Sequence, residues 1–193
     1  IADPLAYLMK NRSVCPRLRS FAWLFCVLAF SLGSLLPSIA RAQTAQRIYE
    51  LNSSYVETNG GSALVPNGGT LSSTGYTFAA GQGPSASNAL ANTGEYTIEV
   101  VFRINSVSSY LNLLNFNGLS GDNAIYCLNG RVNIYNYGTG ASSTTDFVAG
   151  QTHRLVVTRN ATTKVTSAYV DGAQKAQVTD SNNYYVASAA NGI

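Results

Sequence analysis

Nine consecutive residues, Glu95 to Arg103, set the strongest constraint on how this chain folds. Tyr96, Ile98, Val100 and Phe102 alternate with Thr97, Glu99 and Arg103, and only Val101 breaks the pattern. A period of two places apolar and polar side chains on opposite faces of an extended strand. Similar segments recur at Arg47 to Leu51, Gly75 to Ala79, Tyr110 to Phe116, Ala124 to Leu128, Arg131 to Tyr137, His153 to Arg159, Val165 to Val170 and Gln174 to Thr179. Between them stand Asn67-Gly68-Gly69, Gly81-Gln82-Gly83-Pro84, Asn117-Gly118, Asn129-Gly130 and Asp171-Gly172. No stretch after Gln43 carries apolar residues at helical spacing. Short strands punctuated by turn residues predict an all-β, antiparallel sandwich or barrel.

Two of the turns predict hairpins. Asn-Gly and Asp-Gly supply the positive-φ residues that two-residue loops require, so Asn129-Gly130 and Asp171-Gly172 each join neighbouring strands. The first loop also dictates register. Leu128 then faces Arg131, Cys127 faces Val132, Tyr126 faces Asn133, Ile125 faces Ile134 and Ala124 faces Tyr135. Alternate pairs share a face. Ile125, Cys127, Val132 and Ile134 form an apolar surface, and Tyr126, Arg131, Asn133, Tyr135 and Tyr137 gather on the other. Cys127 reads as a small buried hydrophobe.

The first 42 residues have a different character. Met9-Lys10-Asn11-Arg12 opens a basic stretch with Arg17 and Arg19, Phe21 to Leu36 is apolar, and Ala40-Arg41-Ala42 places small residues before a break. These are the three parts of a secretory signal peptide. The apolar run is shorter than the ~20 residues that span a bilayer. The expected division is residues 1–8 as an upstream extension or fragment edge, 9–42 as signal peptide and 43–193 as the folded domain.

This division alters the charge balance. Of 12 Lys and Arg residues in the chain, Lys10, Arg12, Arg17, Arg19 and Arg41 belong to the leader, and of nine acids only Asp3 precedes it. The exported part keeps seven bases against eight acids. Neither a nucleic-acid partner nor membrane insertion of the mature chain is expected from that balance. Cys15 and Cys26 also fall in the leader, which leaves Cys127 without a disulfide partner.

Three segments resemble the laminin-G-like modules of the concanavalin-A-like superfamily found in bacterial exported proteins. Glu95 to Arg103 looks like the family's "f-T-i-e-x-W-v-k" strand, with Val101 near the usual tryptophan. Gln151 to Arg159 is similar to its "w-h-h-l-v-v-t-r" strand, and Val165 to Gly172 matches its "v-x-l-Y-v-D-G" hairpin. The likeness runs from Tyr49 to about Thr179. It implies a jelly-roll β-sandwich, and members continue into further strands, so the chain is expected to be C-terminally truncated.

Site chemistry divides into three possibilities. Jelly-roll glycoside hydrolases cluster acids on one strand, whereas Glu95 and Glu99 stand four residues apart, roughly 13 Å at the strand rise. Paired carboxyls in retaining and inverting glycosidases lie about 5–5.5 and 6.5–9.5 Å apart. His153 is the only histidine and lacks a nucleophile motif, so it reads as a packing residue. The family's calcium sites use loop aspartates. Asp122 and Asp146 are residues of that type, but one carboxylate falls far short of the 6–8 oxygens the ion takes, so no cofactor is expected, with calcium the one candidate. Asp171 reads more simply as a turn former. Tyrosine rings beside Asn and Arg suit a saccharide, which makes Tyr126, Arg131, Asn133, Tyr135 and Tyr137 the candidate ligand face.

The reading as a whole is a secreted or cell-surface, non-catalytic recognition or adhesion module whose partner is a glycan or another extracellular ligand. A structural surface protein without a specific small ligand is the alternative, and a jelly-roll glycoside hydrolase ranks third. Cleavage after Ala42 predicts that N-terminal sequencing of exported protein begins at Gln43. Recovery of membrane-embedded chain that keeps Phe21 to Leu36 would contradict it.

Overall fold

The computed structural model describes residues 45–118, 121–135, 140–187 and 193. The leader, with Cys15 and Cys26, and the candidate Tyr137 lie outside the described residues. Eleven strands are seen among those residues: β1 Val65–Asn67, β2 Thr70–Ser72, β3 Gly75–Thr77, β4 Gly83–Ser85, β5 Tyr96–Arg103, β6 Tyr110–Asn115, β7 Ala124–Leu128, β8 Arg131–Ile134, β9 Thr152–Arg159, β10 Val165–Val170 and β11 Ala173–Thr179. All pairings are antiparallel. A four-stranded sheet runs β11-β10-β9-β5, a three-stranded sheet runs β6-β7-β8, and the pairs β1-β4 and β2-β3 stand apart from both.

The two larger sheets share one core. From the four-stranded sheet come Tyr96, Leu155, Val157, Ala168, Val170, Ala176 and Val178. From the three-stranded sheet come Ile125, Cys127, Val132 and Ile134, all fully buried, joined by Phe116, Phe147 and Tyr185 from the connections. Alternation explains the division: along β9, His153, Leu155, Val157 and Arg159 are buried and the intervening residues are not. Val101, the residue that broke the pattern in β5, is 62% exposed on the outer face. Burial pushes the Cys127 thiol above its ordinary range, as expected of a sulfur among apolar side chains.

Both expected hairpins form. Asn129 and Gly130 have φ of 50° and 78°, and β7 pairs with β8 as Leu128–Arg131, Cys127–Val132, Tyr126–Asn133 and Ile125–Ile134. Asp171 and Gly172 have φ of 51° and 85° and join β10 to β11. A β-branched residue at any of these four positions would be strained by the positive φ.

Three expectations need correction. Arg47 to Leu51 is not a strand. The Ile48 N–H donates instead to Glu57 Oε1 at 2.7 Å, and the Asn59 and Gly61 N–H groups reach Oε2 at 2.9 and 2.7 Å. A buried carboxylate thus replaces ladder partners for this segment, and those amides hold its pKa below the ordinary range despite the cost of burial. Gly83 and Pro84 belong to β4 and not to a loop, with Pro84 opposite Pro66 of β1. A short edge pair tolerates proline because its missing N–H need not face a neighbour. β3 ends at Thr77, short of Ala79.

A buried ion pair fastens the open end of the four-stranded sheet. Arg159 Nε donates to Asp180 Oδ2 at 3.0 Å, with both side chains almost wholly buried. Arg159 also donates to the Gly94 carbonyl at 2.5 Å and to Asn183 Oδ1 at 3.0 Å. Asp180 accepts the Tyr184 and Tyr185 N–H groups at 2.8 and 3.0 Å. Asp180→Ala would leave a buried guanidinium uncompensated. Urea unfolding should show a loss of about 3–5 kcal/mol, with part regained in the double variant Arg159→Met, Asp180→Ala. A single-variant loss below about 1 kcal/mol would mean that the pair is solvated.

Candidate functional site

The outer face of β6-β7-β8 is built by the same register that buries its inner face. In β7 and β8, residues opposite the buried Ile125, Cys127, Val132 and Ile134 point away from the core. Tyr126 and Tyr135 are half-buried there, and Arg131 is exposed. A third ring comes from β6, where Tyr110 stands opposite Leu128 and is 53% exposed. The three rings meet edge to face: Tyr126–Tyr135 at 5.5 Å, Tyr110–Tyr126 at 5.8 Å and Tyr110–Tyr135 at 6.4 Å between centroids. Asn112, exposed beside them, stands opposite Tyr126.

One member of the candidate face differs from expectation. Asn133 is buried, not displayed, because the chain from Gly140 returns along the free edge of β8. The Ile134 N–H donates to the Gly140 carbonyl, Asn133 bridges Ala141, and the Ser142 N–H donates to the Val132 carbonyl. Gly140 permits this approach, since a Cβ there would collide with the Ile134 carbonyl oxygen. Tyr137 is outside the described residues. Tyr110 was missed from the sequence because the bulge near Leu113 conceals which β6 residues share a face with the hairpin.

The tyrosine face is anchored from beneath and at one end. The Tyr185 hydroxyl donates to the Tyr135 carbonyl, while the Tyr96 hydroxyl donates to the Tyr185 carbonyl at 2.7 Å. Tyr126 donates its hydroxyl to Asp122 Oδ1 at 3.2 Å. Partial burial, followed by the nearby Asp122 charge, raises the pKa of Tyr126 and keeps its hydroxyl protonated as a donor.

The two candidate calcium ligands are separate and differently engaged. Asp146 is buried, its Oδ2 accepts the Val132 N–H at 2.9 Å, and its Oδ1 accepts the Thr144 hydroxyl at 2.9 Å and meets Lys175 Nζ at 3.3 Å. An ammonium group beside a carboxylate already supplied with donors does not fit a cation site. Asp122 is exposed, and among the described residues no three His, Cys, Asp or Glu side chains converge.

The histidine and the candidate acids are likewise engaged in pairings. His153 Nε2 accepts the Val148 N–H at 2.9 Å, which leaves Nδ1 to donate to Asp171 Oδ2 at 2.8 Å. Its ring is buried and meets Phe147 edge on. Glu99 meets Arg154 at 2.5 Å on the outer face of the four-stranded sheet, and that hydrogen bond holds its carboxyl below the usual range. A general acid would need the opposite shift. Comparison with protein families, curated proteins and solved structures finds no match.

Asp171 carries a pH dependence whose sign follows from its partners. The Arg154 N–H at 2.8 Å and then the His153 ring hold its carboxyl below the ordinary range. Its contribution is therefore full above the unfolded value, about 4, and is lost as pH falls through the lower folded value. The stability gap between the wild-type chain and Asp171→Asn should shrink as pH falls from about 5 toward the lower folded value. Chemical denaturation across that range checks it, and a gap that widens in acid would reverse the assignment.

Proposed function

We propose that this chain is an exported, non-catalytic recognition or adhesion module of the laminin-G-like, jelly-roll type, and that it binds a saccharide on the β6-β7-β8 outer face. The observation that carries the reading is the group formed by Tyr110, Tyr126 and Tyr135, gathered on a solvent-facing sheet surface whose reverse side is committed to the core. Aromatic rings offer apolar faces to the CH groups of a sugar, while the hydroxyls and the neighbouring Asn112 and Arg131 serve its OH groups. Two packed antiparallel sheets are consistent with a jelly roll, and Val165 to Gly172 forms the hairpin that the resemblance implies.

A structural surface protein without a small ligand is the second reading. The edge-to-face packing favours it, because each ring spends part of its area on its neighbours.

A glycan-array screen followed by titration calorimetry separates the two. Tyr110→Ala and Tyr135→Ala should each weaken binding of a retained glycan by about 2- to 10-fold while the protein stays folded. Ile134→Ala, on the buried side of the same strand, should instead lower stability by ~2–5 kcal/mol. No retained glycan, or unchanged affinity in both tyrosine variants, would favour the structural reading.

A further inference from the structure

Charge on the tyrosine face is unevenly placed. Arg47, Arg154 and Arg159 each lie within 4 Å of a carboxylate, as does Lys175. Arg131, like Arg103 and Lys164, makes no such pair among the described residues, and of the three it is the one exposed on the face that bears the three rings. The buried acid that holds the N–H of the next residue, Asp146, accepts from Val132 and Thr144 and pairs with Lys175. Asp122 is the other charge at this face, and it is held at the far end by the Tyr126 hydroxyl.

Register sets the spacing between the two charges. Arg131 stands opposite Leu128 at the Asn129-Gly130 end of the hairpin, whereas Asp122 precedes β7 at the other end. Four residues from Ala124 to Leu128 correspond to roughly 13 Å along β7, and Asp122 lies beyond the start of that strand. Over that distance in water the two charges are largely screened from one another at physiological ionic strength. The rings therefore lie between a guanidinium without an ion pair among the described residues and a carboxylate that accepts a hydrogen bond from Tyr126.

We propose that the saccharide is acidic, a uronic-acid-containing chain whose carboxylate is taken by Arg131 while neighbouring rings of the sugar lie over the tyrosines. This rests on the saccharide reading of the face and adds the ligand's chemical class. A planar guanidinium presents two parallel N–H donors that match a carboxylate, and such charge-assisted bonds are about twice as strong as neutral ones. A neutral sugar would leave that match unused.

The test uses the full chain with two probes of equal length, an oligogalacturonide and its carboxyl-reduced, neutral counterpart, titrated calorimetrically at low salt. Loss of a charged hydrogen-bonding partner predicts that the wild-type chain binds the oligogalacturonide about 10- to 100-fold more tightly than the reduced probe. Arg131→Gln should bring the two affinities together, and Arg131→Lys should restore only part of the preference. Unchanged thermal unfolding of the Arg131 variants checks that the fold is intact. Equal binding of both probes by wild type, or a preference that survives Arg131→Gln, would overturn the acidic-ligand inference and leave the tyrosine face standing. Failure of wild type to bind either probe, together with an empty array, would overturn both.

Discussion

The Arg159–Asp180 pair is the constraint on which much of this architecture depends. Two opposite charges inside a protein are tolerated when further hydrogen bonds support them, and here both groups have such partners. Arg159 reaches the Gly94 carbonyl ahead of β5 and Asn183 beyond β11, and Asp180 receives the N–H groups of Tyr184 and Tyr185. The segment after β11 is thereby turned back over the core. Tyr185 is carried with it into full burial against Phe116. From there its hydroxyl reaches the Tyr135 carbonyl, so a chain of polar contacts leads from the end of β9 to the backbone under the tyrosine face.

A second device acts at the opposite end of the same sheet. The β10-β11 register slips between Ala168 and Tyr169, which pair with Ala176 and Gln174, and Lys175 is the extra residue. A bulge re-aims the side chain it contains. Lys175 meets Asp146, which holds the Val132 N–H of β8. The two sheets are thus joined by a polar strut as well as by their apolar faces.

How much of this could be read in the sequence depended on the range of the interaction. The β7-β8 hairpin was legible over its four opposing pairs, because Asn129-Gly130 sets φ and loop length and these set the register, although β8 ends at Ile134, short of the expected Tyr135. The alternation of β5 and β9 was legible for the same local reason. Arg47 to Leu51 misled because its composition suits a strand while its amide partner is Glu57, a side chain nine residues from Ile48. Asn133 misled because its cover arrives from Ala141, on a return segment with no periodic signal. Arg159 and Asp180 gave no warning as a pair: 21 residues separate them, and although Arg159 closes the segment that resembles a family strand, nothing near Asp180 marks it as the partner.

The outer faces of the two sheets differ in a way that bears on where a ligand can lie. On the four-stranded sheet, Glu99 and Arg154 satisfy each other across β5 and β9, Arg103 is exposed at the end of β5 with no aromatic ring paired beside it among the described residues, and Val101 is the one strongly exposed large apolar residue of those strands. Charges that neutralise one another offer little to an incoming group. On the three-stranded sheet, three rings converge and the arginine beside them lacks an ion-pair partner among the described residues. Its inner residues are fully buried, so the strands beneath the rings are held by the core independently of anything bound above. A surface whose geometry is already set before binding loses little conformational entropy when a ligand arrives. Rigid backing, clustered aromatics and one unspent cation therefore coincide on the β6-β7-β8 face and not on the other.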